Sequence, residues 1–244
     1  MFTRLDAADR LVRLVDSRGT VGAEEAAVML LALAGTPRKV AMTVLERVVA
    51  EDARLVWGTE GVSLAPSPLA SVPLGRAAIC VIDLETSSLR ANATAVTELA
   101  AVRLNGGRPV RELEVAGPGA SSPVALRGLS HMARRAAIAG HNVRFDLRFL
   151  DELTRAATGA RVAAPVVDTL VLARRLLGTR IERHTLDALA EFFGVPDPPC
   201  HRALADARAT AAVLVRLVEL ARERGAATLG DLCALARPAR RTVG

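Results

Sequence analysis

Four carboxylates and one histidine, set in three short clusters along the chain, have the residue types for one piece of chemistry: Asp83 with Glu85, then Asp146, then His201 with Asp206. Carboxylate oxygens suit hard divalent cations such as Mg²⁺ or Mn²⁺, and a histidine beside them is a base that titrates near neutral pH. Such a set can hydrolyse a phosphodiester with metal assistance. Taken singly, each cluster has a plainer reading: two acids at a solvated strand end, an acid at a helix start, a surface histidine ahead of a helix.

The chain around each cluster indicates how it is positioned. Ile79-Cys80-Val81-Ile82-Asp83-Leu84-Glu85-Thr86 is a β-branched, apolar run that reads as a buried strand ending in acid. Residues i and i+2 of a strand share a face, so Asp83 and Glu85 project together, where they repel unless a cation lies between them. His141-Asn142-Val143-Arg144-Phe145-Asp146 follows the apolar Ala136 to Ala139 and Gly140, and opens a helix with Phe145, Phe149 and Leu153 as its buried stripe. Asp146 then sits in the first helical turns, at the positive end of the helix dipole. His201-Arg202-Ala203-Leu204-Ala205-Asp206 leads into a long apolar helix pattern, Ala209 to Leu220. Were His201 helical too, it would stand roughly 140° from Asp206, so it is expected on the approach to the helix, after Pro196, Pro198 and Pro199 have broken the chain.

Together, Asp-X-Glu-Thr, His-Asn-X-X-Phe-Asp and His-X-Ala-X-X-Asp resemble the DEDDh group of DnaQ-like 3′-to-5′ exonucleases, the family of the proofreading epsilon subunit of bacterial DNA polymerase III. The resemblance covers about Ala77 to Leu220 and extends to Val166-Val167-Asp168-Thr169-Leu170 and Thr185-Leu186-Asp187-Ala188-Leu189-Ala190. It implies an RNase H-like fold, α/β with a mixed central sheet flanked by helices. It also implies two Mg²⁺ or Mn²⁺ ions held by Asp83, Glu85, Asp146 and Asp206, with Asp83 bridging them. His201 would act as the base, Thr86 and Asn142 would contact the terminal nucleotide, and the substrate would be a 3′ end of DNA, single-stranded or mismatched. Glu85-Thr86-Ser87-Ser88 replaces the family's usual Glu-Thr-Thr-Gly, and the stretch before His141, with Leu126 to Ser130 and a brief Met132 to Ala137, reads as shorter than in relatives. An RNA-trimming exonuclease and a nucleic-acid- or protein-binding recruitment module with an idle exonuclease domain are the competing readings.

Half of the 244 residues are apolar, enough to bury one sizeable core and a small second one. No apolar run is long enough to span a membrane, so a cytoplasmic protein is expected. Cys80, Cys200 and Cys233 are few, odd in number and form no Cys-X-X-Cys pair, which suggests neither a disulfide framework nor a zinc site. Residues 1–75 hold eight basic and nine acidic side chains, whereas 76–244 hold 24 basic and 17 acidic ones. The positive balance therefore lies on the part that would meet a phosphate backbone. With five Phe, one Trp and no Tyr, the chain has little with which to stack unpaired bases.

The expected organisation is a small helical domain with a terminal hairpin over 1–64, a proline-rich linker over 65–75, the exonuclease domain over 76–224 and an extension with a basic tail over 225–244. In the first part, helices near Leu5 to Val15, Ala23 to Leu33 and Pro37 to Val49, with Thr36 as N-cap, precede a hairpin around Gly58 to Gly61. Three helices and a hairpin resemble a winged-helix module, with Arg38, Lys39 and Arg47 on its recognition helix. DNA contact and contact with a polymerase or repair protein both fit it. Asp168 and Asp187 read as helix-start stabilisers, His141 as a structural hydrogen-bonding residue, and His131 and His184 are left without a partner.

Overall fold

The computed structural model describes residues 4–31, 37–52, 54–91, 95–158, 162 and 164–237. These fall into two compact units, one reaching Pro66 and the other spanning Ser67–Arg237.

The first unit contains α1 (Arg4–Arg18), α2 (Ala23–Leu31), α3 (Arg38–Glu51) and a hairpin of β1 (Leu55–Gly58) and β2 (Gly61–Leu64). Ala41, Leu45, Val48 and Val49 form the buried stripe of α3 and meet Leu11 and Val15 of α1, Ala26 and Ala27 of α2, and Leu55 and Val62 of the hairpin. The turn between α1 and α2 is tied to the hairpin by Val21 and Val62, which exchange N–H···O bonds of 3.0 and 2.8 Å. The expected cap Thr36 lies outside the described residues, and Pro37 takes the N-cap position without entering the helix. Two of the three cations expected on α3 are engaged within the unit, Arg38 with Glu24 and Arg47 with Glu51.

The second unit is built on a mixed sheet of β3 (Ala78–Thr86), β4 (Val96–Asn105), β5 (Arg108–Ala116), β6 (Ala137–Gly140) and β7 (Val166–Asp168), in the order β5-β4-β3-β6-β7. Pairing is antiparallel through β5, β4 and β3 and parallel through β3, β6 and β7. The β4–β5 hairpin turns on Gly106 and Gly107, whose φ angles of 55° and 83° lie where an L side chain is strained. A Cβ on Gly106 would also stand 2.3 Å from the Gly75 carbonyl oxygen.

Strand alternation divides the core into two. Ile79 and Val81 of β3, with Ala100, Val102 and Leu104 of β4 and Ala137 and Ala139 of β6, pack under α6 (Thr169–Leu177), α7 (Leu186–Phe193), α8 (Ala203–Glu223) and α9 (Leu229–Leu235). Cys80, Ile82 and Leu84, with Leu99, Ala101 and Ile138, face α4 (Pro123–Met132) and α5 (Arg144–Thr158) through Leu129, Met132, Phe149, Leu150 and Leu153. A mixed sheet covered by helices on both faces is the RNase H-like arrangement.

Three segments differ from the reading of the sequence. The stretch before His141 contains a full ten-residue helix, α4, capped by the Ser122 hydroxyl on the Ala125 N–H and led by Pro123. Residues 65–75 do not run as a free linker, because Leu74 is buried in the core below α8. The Leu74 N–H bonds the Ala227 carbonyl at 2.9 Å, Leu229 N–H bonds Val72 at 2.9 Å, and Gly230 N–H bonds Ala70 at 2.8 Å. The extension is likewise folded as far as α9, which a Thr228–Asp231 capping box starts. The remainder of its basic tail lies outside the described residues. Among the described residues, no helix is long and apolar enough to cross a membrane.

Candidate active site

The odd-numbered face of β3 changes from apolar to acidic along the strand. Ile79 and Val81 lie under α8, and the same face continues as Asp83 and Glu85 where the sheet runs out from beneath the helix. The first turn of α8 brings Asp206 to this place, buried at 8% exposure. His201 is outside the helix, exposed and left-handed (φ 57°), two residues before Ala203 opens α8. Glu85, His201 and Asp206 each offer a ligand atom, and these atoms lie within 4.8 Å of one another, close enough to share one cation.

Asp83 and Asp146 stand outside that trio but belong to the same charged locality. Burial pushes the Asp83 carboxyl up to about 9, and the charges of Asp146, Asp206, Glu85 and Glu98 add to the effect in that order. Asp146 lies in the first turn of α5, on the opposite side of the sheet from α8, and reaches β3 through a 3.0 Å bond from the Leu84 N–H. Burial raises it to about 7, against the lowering effect of its N–H bonds. Glu85 is also raised, first by burial and then by Asp206 and Glu98, with His201 opposing. This is a concentration of carboxylates in which Arg202 pairs with Glu98 at the edge and His201 opposes the Glu85 shift, and its oxygen donors fit hard divalent cations.

The other expected contacts are placed as follows. Thr86 ends β3 at a register shift between Glu85 and Thr86, half-buried beside the acids. Asn142 is exposed and left-handed (φ 60°), with its N–H 3.2 Å from the Asp168 carboxylate. Asp168 is itself the N-cap of α6, accepting from Leu170 and Val171, so it serves two backbone segments at once. His141 Nδ1 lies 3.1 Å from the Thr169 hydroxyl, and burial lowers its imidazole to about 4. His184 Nε2 is buried without a hydrogen-bond partner.

One residue went unnoticed in the sequence. Glu98 of β4 pairs in register with Glu85 and occupies the α8 face of its strand, two residues before Ala100. Its carboxylate accepts from the Ala203 N–H at 3.0 Å and from Arg202 Nε at 3.0 and 3.3 Å. An acid opening an apolar strand, Val96-Thr97-Glu98-Leu99-Ala100-Ala101, was the available signal. Only the strand register shows what it faces.

Comparison with known proteins agrees with this geometry. Residues 114–214 match the exonuclease family RNase_T. A PolC-type DNA polymerase III of Thermotoga maritima is 30% identical over 180 residues, covering 65% of this chain and 13% of that protein. A DNA polymerase III subunit epsilon-like protein of Rhodobacter capsulatus is 31% identical over 191 residues, covering 67% of this chain and 27% of that protein. The chain thus spans less than a third of the length of these curated relatives. Among solved structures, exonuclease X in complex with 5′ overhanging duplex DNA aligns over 64% of this chain and 99% of that one, with 24% identity and a TM-score of 0.44. Through its second unit, the chain belongs to the DnaQ-like exonuclease family.

Proposed function

We propose that the second unit is a metal-dependent 3′-to-5′ exonuclease that releases nucleoside monophosphates from single-stranded or mismatched 3′ ends of DNA. The observation that carries this reading is the meeting of Glu85, His201 and Asp206 within 4.8 Å, beside a half-buried Asp83 that desolvation first, and then the surrounding acids, push up to about 9. Like charges gathered in a half-buried place are costly unless cations neutralise them, so the donor set fits the family's divalent metals. In this reading Asp83, Glu85, Asp206 and Asp146 are the side chains that would hold the pair of ions. A pair of Mg²⁺ or Mn²⁺ ions, when bound, acidifies water and stabilises charge on the phosphate and the leaving oxygen.

The side chains supply the remaining parts of the reaction. His201 lies at the solvent edge of the acids, where its imidazole accepts the proton of the attacking water. Thr86, directly after Glu85, and Asn142, four residues before Asp146, contact the terminal nucleotide. The Asp146 carboxylate is fixed by Leu84 N–H, which ties α5 to the middle of the acidic strand end. The exonuclease domain, expected over 76–224, is drawn here as Ser67–Arg237 because its two ends pack into the same core.

For the first unit, contact with a polymerase or repair protein is the reading we adopt over direct DNA contact. Arg38 and Arg47 of α3 already pair with acids of the unit, while Val28, Met29, Val40 and Trp57 are exposed.

The test is degradation of 5′-labelled oligonucleotides by purified protein with Mg²⁺ or Mn²⁺, using single-stranded, paired and 3′-mismatched DNA and the matched RNA. Stepwise shortening from the 3′ end that EDTA stops is the expected result. Preference for RNA would move the reading to RNA trimming. Absence of shortening on every DNA and RNA end under each metal, with tight salt-sensitive binding retained, would replace it by the recruitment module.

A further inference from the structure

We infer that Glu98 is the positioning residue that sets His201 for proton transfer, an assignment that rests on the exonuclease reading above. Helix α8 starts without a local cap: Arg202 stands at its N-cap, and no side chain of its own segment accepts a hydrogen bond there. The missing acceptor comes from a different strand, since Glu98 of β4 takes the Ala203 N–H at 3.0 Å and Arg202 Nε at 3.0 Å. On the other side of His201, the Cys200 N–H bonds Asp206 Oδ1 at 2.9 Å. The backbone around His201 is therefore anchored through the Cys200 N–H before it and the Ala203 N–H after it, with the Arg202 side chain held on the same carboxylate. It is held there in the left-handed region (φ 57°), which a non-glycine residue leaves readily when released.

Glu98 is suited to this anchoring and not to ligation. Both of its oxygens are occupied by Arg202 and Ala203, and it is absent from the trio of close ligand atoms. Its in-register pairing with Glu85 is what gives the anchor value, because the strand pair that carries the metal-facing acid also carries the brace for the base. Arg202 is 60% exposed and Glu98 19%, so solvent weakens the ion pair and the backbone N–H bond is the larger part of the brace.

The test is steady-state exonuclease kinetics of the full chain carrying Glu98→Ala, Glu98→Gln or Arg202→Ala, with the first also placed in a His201→Ala background. Glu98→Ala is expected to lower kcat about 10- to 100-fold with KM little changed, as for supports of reacting groups elsewhere. Glu98→Gln keeps an acceptor for Ala203 N–H and is expected to recover most of that loss, and Arg202→Ala to lose less than Glu98→Ala. In the His201→Ala background, Glu98→Ala should add almost nothing, because the group it positions is gone. Equal kcat losses from Glu98→Ala in both backgrounds, or wild-type kcat in all three single variants, overturns the inference. Should thermal melting show that Glu98→Ala does not fold, Glu98→Gln and Arg202→Ala in both backgrounds carry the same comparison. A wild-type protein without turnover instead overturns the exonuclease reading, and this inference with it.

Discussion

Two helices of the second unit begin beside the acids, and they begin in different ways. Helix α6 is capped by Asp168, the residue immediately before it, which accepts from Leu170 and Val171 and also holds Asn142 N–H. Helix α8 has Arg202 at that position and borrows its acceptor from Glu98, on a strand more than a hundred residues earlier. A local cap fixes the helix to its own chain. A borrowed cap fixes the helix to the sheet, and here it also fixes the exposed histidine between them. The difference teaches that the α6 start is built for stability and the α8 start for placement.

The largest expected effect falls on the α8 side. His201→Ala should lower kcat about 10²- to 10⁴-fold, the usual contribution of a general base, while leaving thermal unfolding near wild type. Wild-type turnover in that variant would remove the functional half of the contrast. Asp168→Ala should do the reverse, costing about 1–2 kcal/mol of stability in urea titration with a smaller loss of turnover, since its bonds are to backbone N–H groups. A kcat loss matching that of His201→Ala would mean that the two helix starts do not divide the work.

A third effect concerns the acids between the helices. Asp83 at about 9 and Asp146 at about 7 are both raised, so the metal-free native state keeps protons that an unfolded chain gives up near pH 4. Stability of the metal-free protein should therefore fall as pH rises from about 4 towards 9. Mn²⁺ has to displace those protons, so the Tm gain it produces should be larger at pH 8 than at pH 6, read by differential scanning fluorimetry with and without EDTA. Equal gains at both pH values would show that these carboxylates are not where the metal binds.

The smallest effect is chemical. Cys200, exposed at the approach to α8, should react with iodoacetamide in the native protein, whereas Cys80, fully buried and with its thiol pushed up to about 12, should react only after unfolding. Peptide mapping by mass spectrometry reads both sites. Early labelling of Cys80 would mean that the sheet face below α4 and α5 opens readily.

Much of this arrangement was legible in the chain. The strand ending in Asp83 and Glu85, the stripe of Phe149 and Leu153 behind Asp146, and the long helix after His201 follow from period-two and period-3.6 patterns, and the structure has them as β3, α5 and α8. Helix α4 is legible only in part, as Leu126 to Ser130, and α9 not at all, although each carries a local start signal, Ser122-Pro123 and Thr228 with Asp231, because both are short and flanked by glycine and proline. Glu98 was illegible for a different reason. Its partners are fixed by the register of β3 against β4 and by where α8 crosses them, neither of which the order of residues states.

The seam between 70–74 and 227–230 has its own consequence. Because Ala70 meets Gly230 and Leu74 meets Ala227 through backbone bonds, the first residues of the exonuclease unit and those that lead into its last helix lie side by side. A module closed in this manner can be spliced into a longer polypeptide without disturbing its interior, and a protease that clips one side loosens the other.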